Sequence, residues 1–332
     1  MDKLNVGVIG VGAMGKSHVR VYSSIKDVRL IAISDVNQEI GRNIARTYKT
    51  NYYKNYRDML KKERIDAVSI CVPTKLHKRV AVDAIKKKIN VLVEKPIATN
   101  LKEAQEIINE ATKNGIKLMV GHIERFNPVV IELKKRIEKY ELGKMYKVHC
   151  VRLSPFPKRI IDVGVIVDLA IHEIDILNYI IKSKIKRIYA ETAQRIHSSN
   201  EDLLIGTIKF ENGILGVVNA NWLTPKKVRE ITVTGEKGMF VANYLKQELY
   251  FYENEFVRRN SDYDSNFMSV IEGNMTKIKI EKKEPLQNEL AAFIKSIVNN
   301  EYVSVTGYDG LQALFIAQKF IESAKKNKVI AL

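Results

Sequence analysis

Short apolar runs alternate with amphipathic stretches through the first third of the chain. The apolar runs are LNVGVIG, VRLIAISD, IDAVSICVP, INVLVEKP and IKLMVGH. Each is apolar at successive positions rather than alternate ones, which is typical of strands buried on both faces of a parallel sheet. The pattern predicts a doubly wound α/β domain over residues 1–122.

The period of the pattern changes after residue 122. Helical stretches are predicted over 128–139 and 164–182, and then alternating strand-like runs follow closely: LIGTIKF, GILGVVNANW, REITVTG and ELYFYEN. Turn sequences such as Glu211-Asn212-Gly213 separate them, as in antiparallel hairpins. Residues 123–332 are therefore expected to form an α+β domain with a mostly antiparallel open sheet. Its closing helices, 287–298 and 311–324, can pack back on the first domain.

Length and cysteine usage agree with an intracellular two-domain protein. The 332 residues suit two domains, and Cys71 and Cys150 lie far apart and outside any CxxC pair. A disulfide framework and a zinc ribbon are thereby excluded. The sequence contains no apolar run of about 18 residues, the length that a membrane span needs. We expect a cytoplasmic protein without a membrane partner.

The net charge of +17 raises the question of nucleic-acid binding. The lysines are spread over the predicted helices, as at Lys61-Lys62 and Lys134-Lys135, rather than gathered in one patch. We expect no nucleic-acid partner. A distributed positive charge instead attracts an anionic small molecule.

A glycine-rich motif follows the first predicted strand and opens the first predicted helix. It consists of Gly10, Val11, Gly12, Ala13, Met14 and Gly15. Glycines in this position allow a tight turn and close approach of a pyrophosphate, to which the helix N-terminus offers amides. The alternative is a glycine-rich turn before an ordinary helix.

Asp35 ends the second apolar run, 20 residues after Gly15. A carboxylate at this point accepts hydrogen bonds from ribose hydroxyls and repels a 2′-phosphate. Val36 brings no positive charge for that phosphate. Together with the glycine motif, Asp35 predicts a Rossmann domain whose cofactor is NAD.

Five ordered motifs give the chain a resemblance to a known family. They are GVIGVGAMGKSH, VPTKLH, VEKP, GHIERFNP and GVIVDLAIHEID. In this order they resemble the family of glucose-fructose oxidoreductase, inositol dehydrogenase and the rhizopine catabolism proteins, which are NAD(P)-dependent oxidoreductases. The resemblance implies that Lys95, Asp168 and His172 line the place where nicotinamide meets a sugar or polyol. It also implies further cofactor-binding residues, namely Pro73, Thr74, His77, Glu94, Lys95 and His122. The alternative for His77 and His122 is a structural role as core or loop histidines.

The chemistry asks for the same residue types. Oxidation of a secondary alcohol requires a base for the hydroxyl proton, a role that suits His172, and Asp168 lies one helical turn before it. Lys95 can polarise the reacting oxygen, and either Lys95 or His172 can be the base. The Asp168–His172 pair is also compatible with a surface helix interaction. We expect no metal, since no third histidine, cysteine or carboxylate lies at a spacing from Asp168 and His172 that is typical of a metal site.

A cationic, proline-broken loop precedes the Asp168 helix. Arg152, Lys158 and Arg159 flank the sequence PFP and can hold a diphosphate, with Arg125 and Asn127 as additional substrate-binding candidates beside His172. The loop resembles the family branch that acts on nucleotide sugars, which implies oxidation of the 3-hydroxyl of UDP-N-acetylglucosamine. The alternatives are a solvated basic loop in an inositol or free-sugar dehydrogenase, and a non-catalytic NAD-binding regulator.

The open sheet predicted for the second domain should have one face without helices. Large apolar faces are usually covered by a partner subunit. We therefore expect a homodimer or homotetramer.

Overall fold

The computed structural model describes residues 3–157, 163–254 and 273–332. The chain forms two compact units. Unit 1 comprises Met1–Phe126 and Lys283–Ile316, and unit 2 comprises Asn127–Lys282 and Ala317–Leu332.

Unit 1 contains a six-stranded parallel sheet in the order β3-β2-β1-β4-β5-β6. The strands are β1 (Leu4–Ile9), β2 (Val28–Ser34), β3 (Asn51–Tyr53), β4 (Ala67–Ile70), β5 (Asn90–Glu94) and β6 (Leu118–Gly121). All four residues of β4 and all four of β6 are buried, as the successive apolar positions predict. The strand order reverses between β1 and β4, where doubly wound sheets bind their ligands. The predicted Rossmann fold is confirmed.

Five helices connect these strands. They are α1 (Ala13–Tyr22), α2 (Gln38–Tyr48), α3 (Tyr56–Lys62), α4 (His77–Ile85) and α5 (Leu101–Asn114). Asparagine side chains begin three of them, because Asn37, Asn55 and Asn100 each accept a hydrogen bond from a backbone amide of the first turn. Such caps satisfy amides that have no partner within the helix.

The described residues of unit 2 form a nine-stranded sheet in the order β14-β13-β12-β11-β7-β10-β9-β8-β15. Its strands are β7 (Met145–Leu153), β8 (Ile185–Ala193), β9 (Leu203–Phe210), β10 (Leu215–Asn221), β11 (Val228–Gly235), β12 (Gly238–Asn243), β13 (Glu248–Glu253), β14 (Met275–Ile278) and β15 (Ile330–Ala331). The central pair β7 and β10 is parallel, and the other described neighbours are antiparallel. The predicted mostly antiparallel sheet is confirmed.

Helices α6 (Pro128–Glu138) and α7 (Ile171–Ile181) belong to unit 2. A Cβ placed on Gly216 of β10 would lie 3.4 Å from Leu177, so α7 packs directly on the sheet. The single helix predicted over 164–182 is divided, because Ile166–Ala170 is wound as a π-helix before α7 begins. Short π-helical turns occur frequently at functional sites.

Two further helices close the chain, α8 (Pro285–Val298) and α9 (Gly307–Lys326). The α8 side chain Asn288 donates a hydrogen bond to the Phe126 carbonyl at 3.1 Å, within unit 1. The division between the units falls inside α9. Its first part packs Gly310 near Val120 of unit 1, whereas Phe320 packs on Gly206 of unit 2. Among the described helices, none is long and apolar enough to cross a membrane.

Candidate active site

The glycine motif forms the turn between β1 and α1. Gly10 has a φ of +84°, and a Cβ there would lie 2.7 Å from the Cys71 carbonyl oxygen. A Cβ on Gly15 would lie 1.9 Å from the Gly10 carbonyl oxygen. Both positions therefore require glycine, one for its backbone conformation and one for the close packing of α1 against the turn.

Gly12 faces open space, unlike Gly10 and Gly15. A Cβ on Gly12 would meet no atom within 4 Å, and Gly12 and Ala13 are both exposed, with Met14 half-buried. No side chain caps the N-terminus of α1, and its first turn carries no acidic residue. Exposed amides at a helix N-terminus suit the pyrophosphate of a dinucleotide. The local geometry therefore fits NAD.

Asp35 lies just after β2 and faces the glycine turn. Its Oδ2 accepts a hydrogen bond from the Val11 amide at 2.7 Å, and its Oδ1 accepts one from the Asn37 amide at 2.8 Å. A carboxylate has about four acceptor positions, so capacity for ribose hydroxyls is left on both oxygens. Val36 is 82% exposed and contributes no cation beside them.

The segment after β4 holds three of the predicted cofactor-binding residues. Pro73 is exposed and Thr74 half-buried, at the beginning of a short 3-10 helix. His77 is buried, and both of its ring nitrogens lie within hydrogen-bond distance of main-chain carbonyls. Because the ring nitrogens are engaged inside the protein, the structure gives no support to a direct hydrogen bond from His77 to a cofactor.

Lys95 directly follows β5, at the carboxyl edge of the parallel sheet. It is half-buried between Glu94 and Pro96, both of which are buried, and the Lys95–Pro96 peptide bond is cis. Ligands of open α/β sheets bind outside this edge. The position is therefore compatible with the predicted contact between Lys95 and a reacting oxygen.

Glu94 and His18 form a buried pair beside Lys95. The His18 Nε2 lies 3.0 Å from Glu94 Oε1, and the Lys95 amide donates to Glu94 Oε2 at 3.3 Å. Burial by itself raises the pKa of the Glu94 carboxyl, but the hydrogen bond and charge of His18, together with Lys95, lower this pKa below its usual value. Glu94 is thus held as a carboxylate that fixes the segment before Lys95.

Cys71 completes a group of three metal-ligand types with His18 and Glu94. Their donor atoms lie within 4.8 Å of one another, the one such group among the described residues. Burial first, and then the charges of Glu94 and Glu289, raise the pKa of the Cys71 thiol well above its usual value. Metals bind the thiolate rather than the thiol. A thiol with a raised pKa is a poor metal ligand, and the absence of a metal stays a prediction.

His122 and Arg125 follow β6 at the same edge of the unit 1 sheet. His122 is buried, and Arg125, which is 8% exposed, donates from Nη2 to Asp309 Oδ1 at 3.0 Å. Burial acts against the charge of Asp309, but Arg125 and Thr306 together lower the pKa of this carboxyl. Asn127 begins α6 and donates to the Tyr244 carbonyl at 3.2 Å. Contact of Arg125 or Asn127 with a substrate stays a prediction.

Asp168 and His172 lie in unit 2, at the π-helical turn and the beginning of α7. The segment before them is anchored by Glu201, which accepts hydrogen bonds from the Val165 amide at its main-chain oxygen and from the Ile166 amide at Oε1, at 2.9 and 3.2 Å. A Cβ on Gly164 would lie 2.0 Å from Glu201 Oε1. The turn that carries Asp168 is thus fixed by a loop between β8 and β9.

Arg152 is almost completely buried. Its Nε lies 2.5 Å from Glu173 Oε1, with exposed side-chain fractions of 2% and 0%, and Tyr244 donates to Glu173 Oε2 at 3.4 Å. The charge of Arg152 is therefore balanced within the protein, and its contact with a diphosphate stays a prediction. Lys158 and Arg159 lie outside the described residues.

Several residues that shape these sites could not be assigned a role from the sequence alone. His18 stands three positions after Gly15 in a quoted motif, and this spacing places it on the buried face of α1. Glu173 follows His172 directly, and its 0% exposure is accounted for by its ion pair with Arg152. Asp309 and Glu201 carry no local signal, because their partners lie far away in the chain.

The fold and the glycine turn define a dinucleotide-binding protein. Residues 4–122 match an oxidoreductase family with an NAD-binding Rossmann fold, GFO_IDH_MocA, and residues 130–241 match the GFO/IDH/MocA C-terminal domain. The chain belongs to the Gfo/Idh/MocA family. Its N-terminal domain is an NAD-binding Rossmann domain.

Three curated relatives align along nearly the whole chain. The chain is 30% identical to the uncharacterized oxidoreductase YrbE of Bacillus subtilis, with 94% of this chain and 92% of the relative covered. It is 25% identical to the myo-inositol 2-dehydrogenase of Thermotoga maritima, with 99% and 98% covered. It is also 25% identical to the UDP-N-acetylglucosamine 3-dehydrogenase of Acidithiobacillus ferrooxidans, with 96% of each covered. A solved structure of the last, GnnA, has a TM-score of 0.86 at 24% identity, with 98% and 99% covered, and agrees in fold.

Proposed function

We propose that this oxidoreductase oxidises a secondary alcohol of a sugar to a ketone, and that its substrate is UDP-N-acetylglucosamine, oxidised at the 3-hydroxyl. Bound NAD would accept the hydride from the carbinol carbon. The hydroxyl proton leaves to a base on the protein, and the C–O single bond becomes the carbonyl. The products are the 3-keto sugar, NADH and a proton.

The observation that carries the proposal is the position of Lys95. Its ammonium group belongs to the residue that follows β5, at the edge where sheets of this type bind ligands, and Glu94 before it is held by His18. A positive charge beside the reacting oxygen stabilises the alkoxide that develops as the hydride leaves. We assign this role to Lys95.

The proton transfer is assigned to His172 with Asp168 as its orienting carboxylate. Imidazole is suited to proton transfer near neutral pH. Asp168 lies in a π-helical turn that Glu201 anchors, which supports a fixed position for the carboxylate. Lys95 is the alternative base, and the pH profiles of variants at the two positions would separate the assignments.

The nucleotide-sugar assignment rests on the loop sequence and on the UDP-N-acetylglucosamine 3-dehydrogenase relative. A diphosphate requires cations, and Lys158 and Arg159 are the candidates in the loop beside Arg152. A second candidate substrate is an inositol or a free sugar. It is favoured by the ion pair of Arg152 with Glu173, which leaves one cation fewer for phosphate, and by the myo-inositol 2-dehydrogenase relative.

Turnover of a substrate panel tests the proposal. NADH formation is measured with UDP-N-acetylglucosamine, UDP-glucose, N-acetylglucosamine, glucose and myo-inositol, and melting curves record binding of each ligand. The proposal expects the highest kcat/KM for UDP-N-acetylglucosamine. Faster turnover of myo-inositol or glucose would replace it with the second candidate. Binding without turnover of any ligand in the panel would favour a non-catalytic regulator.

We also propose a cytoplasmic homodimer or homotetramer whose other partners are small molecules. Exposed apolar positions of the unit 2 sheet support an interface, since Ile205 on β9, Leu215 on β10 and Tyr252 on β13 are 42%, 45% and 38% exposed. Light scattering during size-exclusion chromatography measures the mass, and a monomer would contradict the proposal.

A further inference from the structure

His77 lies between two main-chain carbonyls. Its Nδ1 is 2.8 Å from the Pro96 oxygen, its Nε2 is 2.9 Å from the Val72 oxygen, and the residue is 1% exposed. The ring therefore occupies a fixed position, reached from the first residue of α4.

The two carbonyls belong to two functional segments of unit 1. Val72 follows Cys71, whose carbonyl oxygen packs against Gly10 of the glycine turn, and it precedes Pro73 and Thr74. Pro96 directly follows Lys95. His77 thus connects the loop on the cofactor side to the segment that carries the lysine.

The chemistry of this contact is demanding. A carbonyl oxygen only accepts hydrogen bonds, whereas a neutral imidazole has one N–H and one lone pair. Burial lowers the pKa of His77, and the two carbonyl contacts and Glu94 oppose this change. A neutral ring donates to one carbonyl at a time, and a protonated ring donates to both. A protonated ring therefore makes both bonds at once, and a neutral ring makes them in turn through its two tautomers.

The segment on the other side of Lys95 is fixed as well. His18, at the buried face of α1, holds Glu94, and the Lys95 amide donates to the same carboxylate. Each neighbour of Lys95 in the chain is therefore bound by a buried histidine that comes from a motif of the cofactor domain.

We infer that His77 is a positioning residue. Its bond to the Pro96 carbonyl fixes the position of Lys95, and its bond to the Val72 carbonyl fixes the loop of Val72, Pro73 and Thr74 on the cofactor side. The inference deepens the proposed function, since the value of a fixed Lys95 rests on the role proposed for it above. The two bonds have different tasks, and they can be separated experimentally.

Asparagine and glutamine separate the two bonds. The amide N–H of asparagine replaces that of Nδ1, and the amide N–H of glutamine replaces that of Nε2. His77→Asn therefore retains the bond to the Pro96 carbonyl, and His77→Gln retains the bond to the Val72 carbonyl. His77→Ala retains neither bond. His149→Ala is the matched control, because His149 is half-buried in β7 of unit 2.

Two measurements on the purified full chain do not require turnover. Fluorescence titration gives the Kd for NADH. Trace acetylation with acetic anhydride, followed by peptide mass spectrometry, gives the reaction rate of the Lys95 amine relative to that of exposed Lys113. Melting curves identify variants that do not fold.

The inference expects a crossed pattern, in which each of the two amide variants changes one measured quantity and leaves the other near its wild-type value. His77→Gln loses the Pro96 bond and keeps the Val72 bond, so it should raise Lys95 labelling by roughly 3-fold or more and leave the Kd for NADH within about 2-fold of wild type. His77→Asn should raise the Kd by roughly 3-fold or more and leave Lys95 labelling near wild type. His77→Ala should show both changes, and His149→Ala neither.

Equal effects of the asparagine and glutamine variants on both quantities, or wild-type values in both, would overturn the inference. These outcomes are independent of the substrate. If no UDP-sugar is turned over, or if Lys95→Met keeps full activity, the proposed function fails while the crossed pattern still decides the role of His77.

Discussion

The carboxylate of Asp35 accepts a hydrogen bond from the backbone amide of Val11, over 2.7 Å and 24 positions of the chain. The end of β2 is thereby joined to the glycine turn. A group that binds ribose and a turn that binds pyrophosphate are held in one arrangement, which determines where the adenosine half of the cofactor lies.

Cofactor choice should depend on Asp35. The double variant Asp35→Ser, Val36→Arg removes the negative charge and adds a cation at a position that is 82% exposed. We expect the ratio of kcat/KM for NADP to that for NAD to rise by roughly 10-fold or more. Val36→Arg alone, as the control, should change the ratio less. A wild-type preference for NADP would contradict the assignment.

Lys95 should affect turnover rather than cofactor binding. Lys95→Met keeps much of the side-chain length and removes the charge, so kcat should fall by roughly 100-fold or more. The Kd for NADH and the melting temperature should stay near wild type. Lys95→Arg is the control that keeps a positive charge. If Lys95→Met turned over substrate at the wild-type rate, Lys95 would have a structural role alone.

The ion pair of Arg152 and Glu173 should be strongly coupled. Removal of one partner leaves a buried charge, so Arg152→Met or Glu173→Gln should each destabilise the fold by about 3 to 5 kcal/mol. The double variant should lose clearly less than the sum of the two. Urea denaturation gives the free energy of unfolding of the wild type, the two single variants and the double variant. Additive losses would show that the two residues act independently, and would strengthen the prediction that Arg152 contacts the substrate.

Asp202 should make stability depend on pH. Its Oδ2 accepts hydrogen bonds from the amides of Arg195, Ile196 and His197, at 2.8, 2.5 and 3.0 Å. Burial opposes the charge of this group, but the amides lower the pKa of the folded carboxyl below its usual value.

The sign of the effect follows from that direction. A lowered folded pKa contributes stability that is fully present above the unfolded pKa of about 3.9, and that is lost as pH falls through the folded pKa. Asp202→Asn should therefore be less stable than wild type by about 2 kcal/mol at pH 6, with a smaller difference at pH 3. Melting temperatures across this range provide the measurement. A difference that does not vary with pH would contradict the explanation.

The cofactor domain could be predicted closely because its signals are local. A buried strand, a glycine turn and a helix follow each other from Leu4 to Tyr22, and Asp35 closes the motif at the end of the next strand. Periodicity and turn chemistry act over a few residues and are visible in a single sequence.

For the second unit, the sequence predicted the fold class but not the order and pairing of the strands. Alternation indicates antiparallel strands, but it does not reveal that β7 and β10 are parallel neighbours at the centre of the sheet. Strand pairing depends on tertiary packing and register. Likewise, Arg152 is of a residue type that often binds phosphate, but only the fold shows that its side chain is buried in an ion pair with Glu173.

The division of the chain has a consequence for domain exchange. The cofactor unit consists of Met1–Phe126 and Lys283–Ile316, so a fragment that ends at Phe126 lacks α8 and the buried side chains Leu290 and Phe293 that it supplies to the core. A chimaera that transfers cofactor specificity from a homologue must therefore carry two separate segments. Recombination at one point between Phe126 and Asn127 would join mismatched halves of a single core, which constrains how this protein can be shuffled in evolution or in the laboratory.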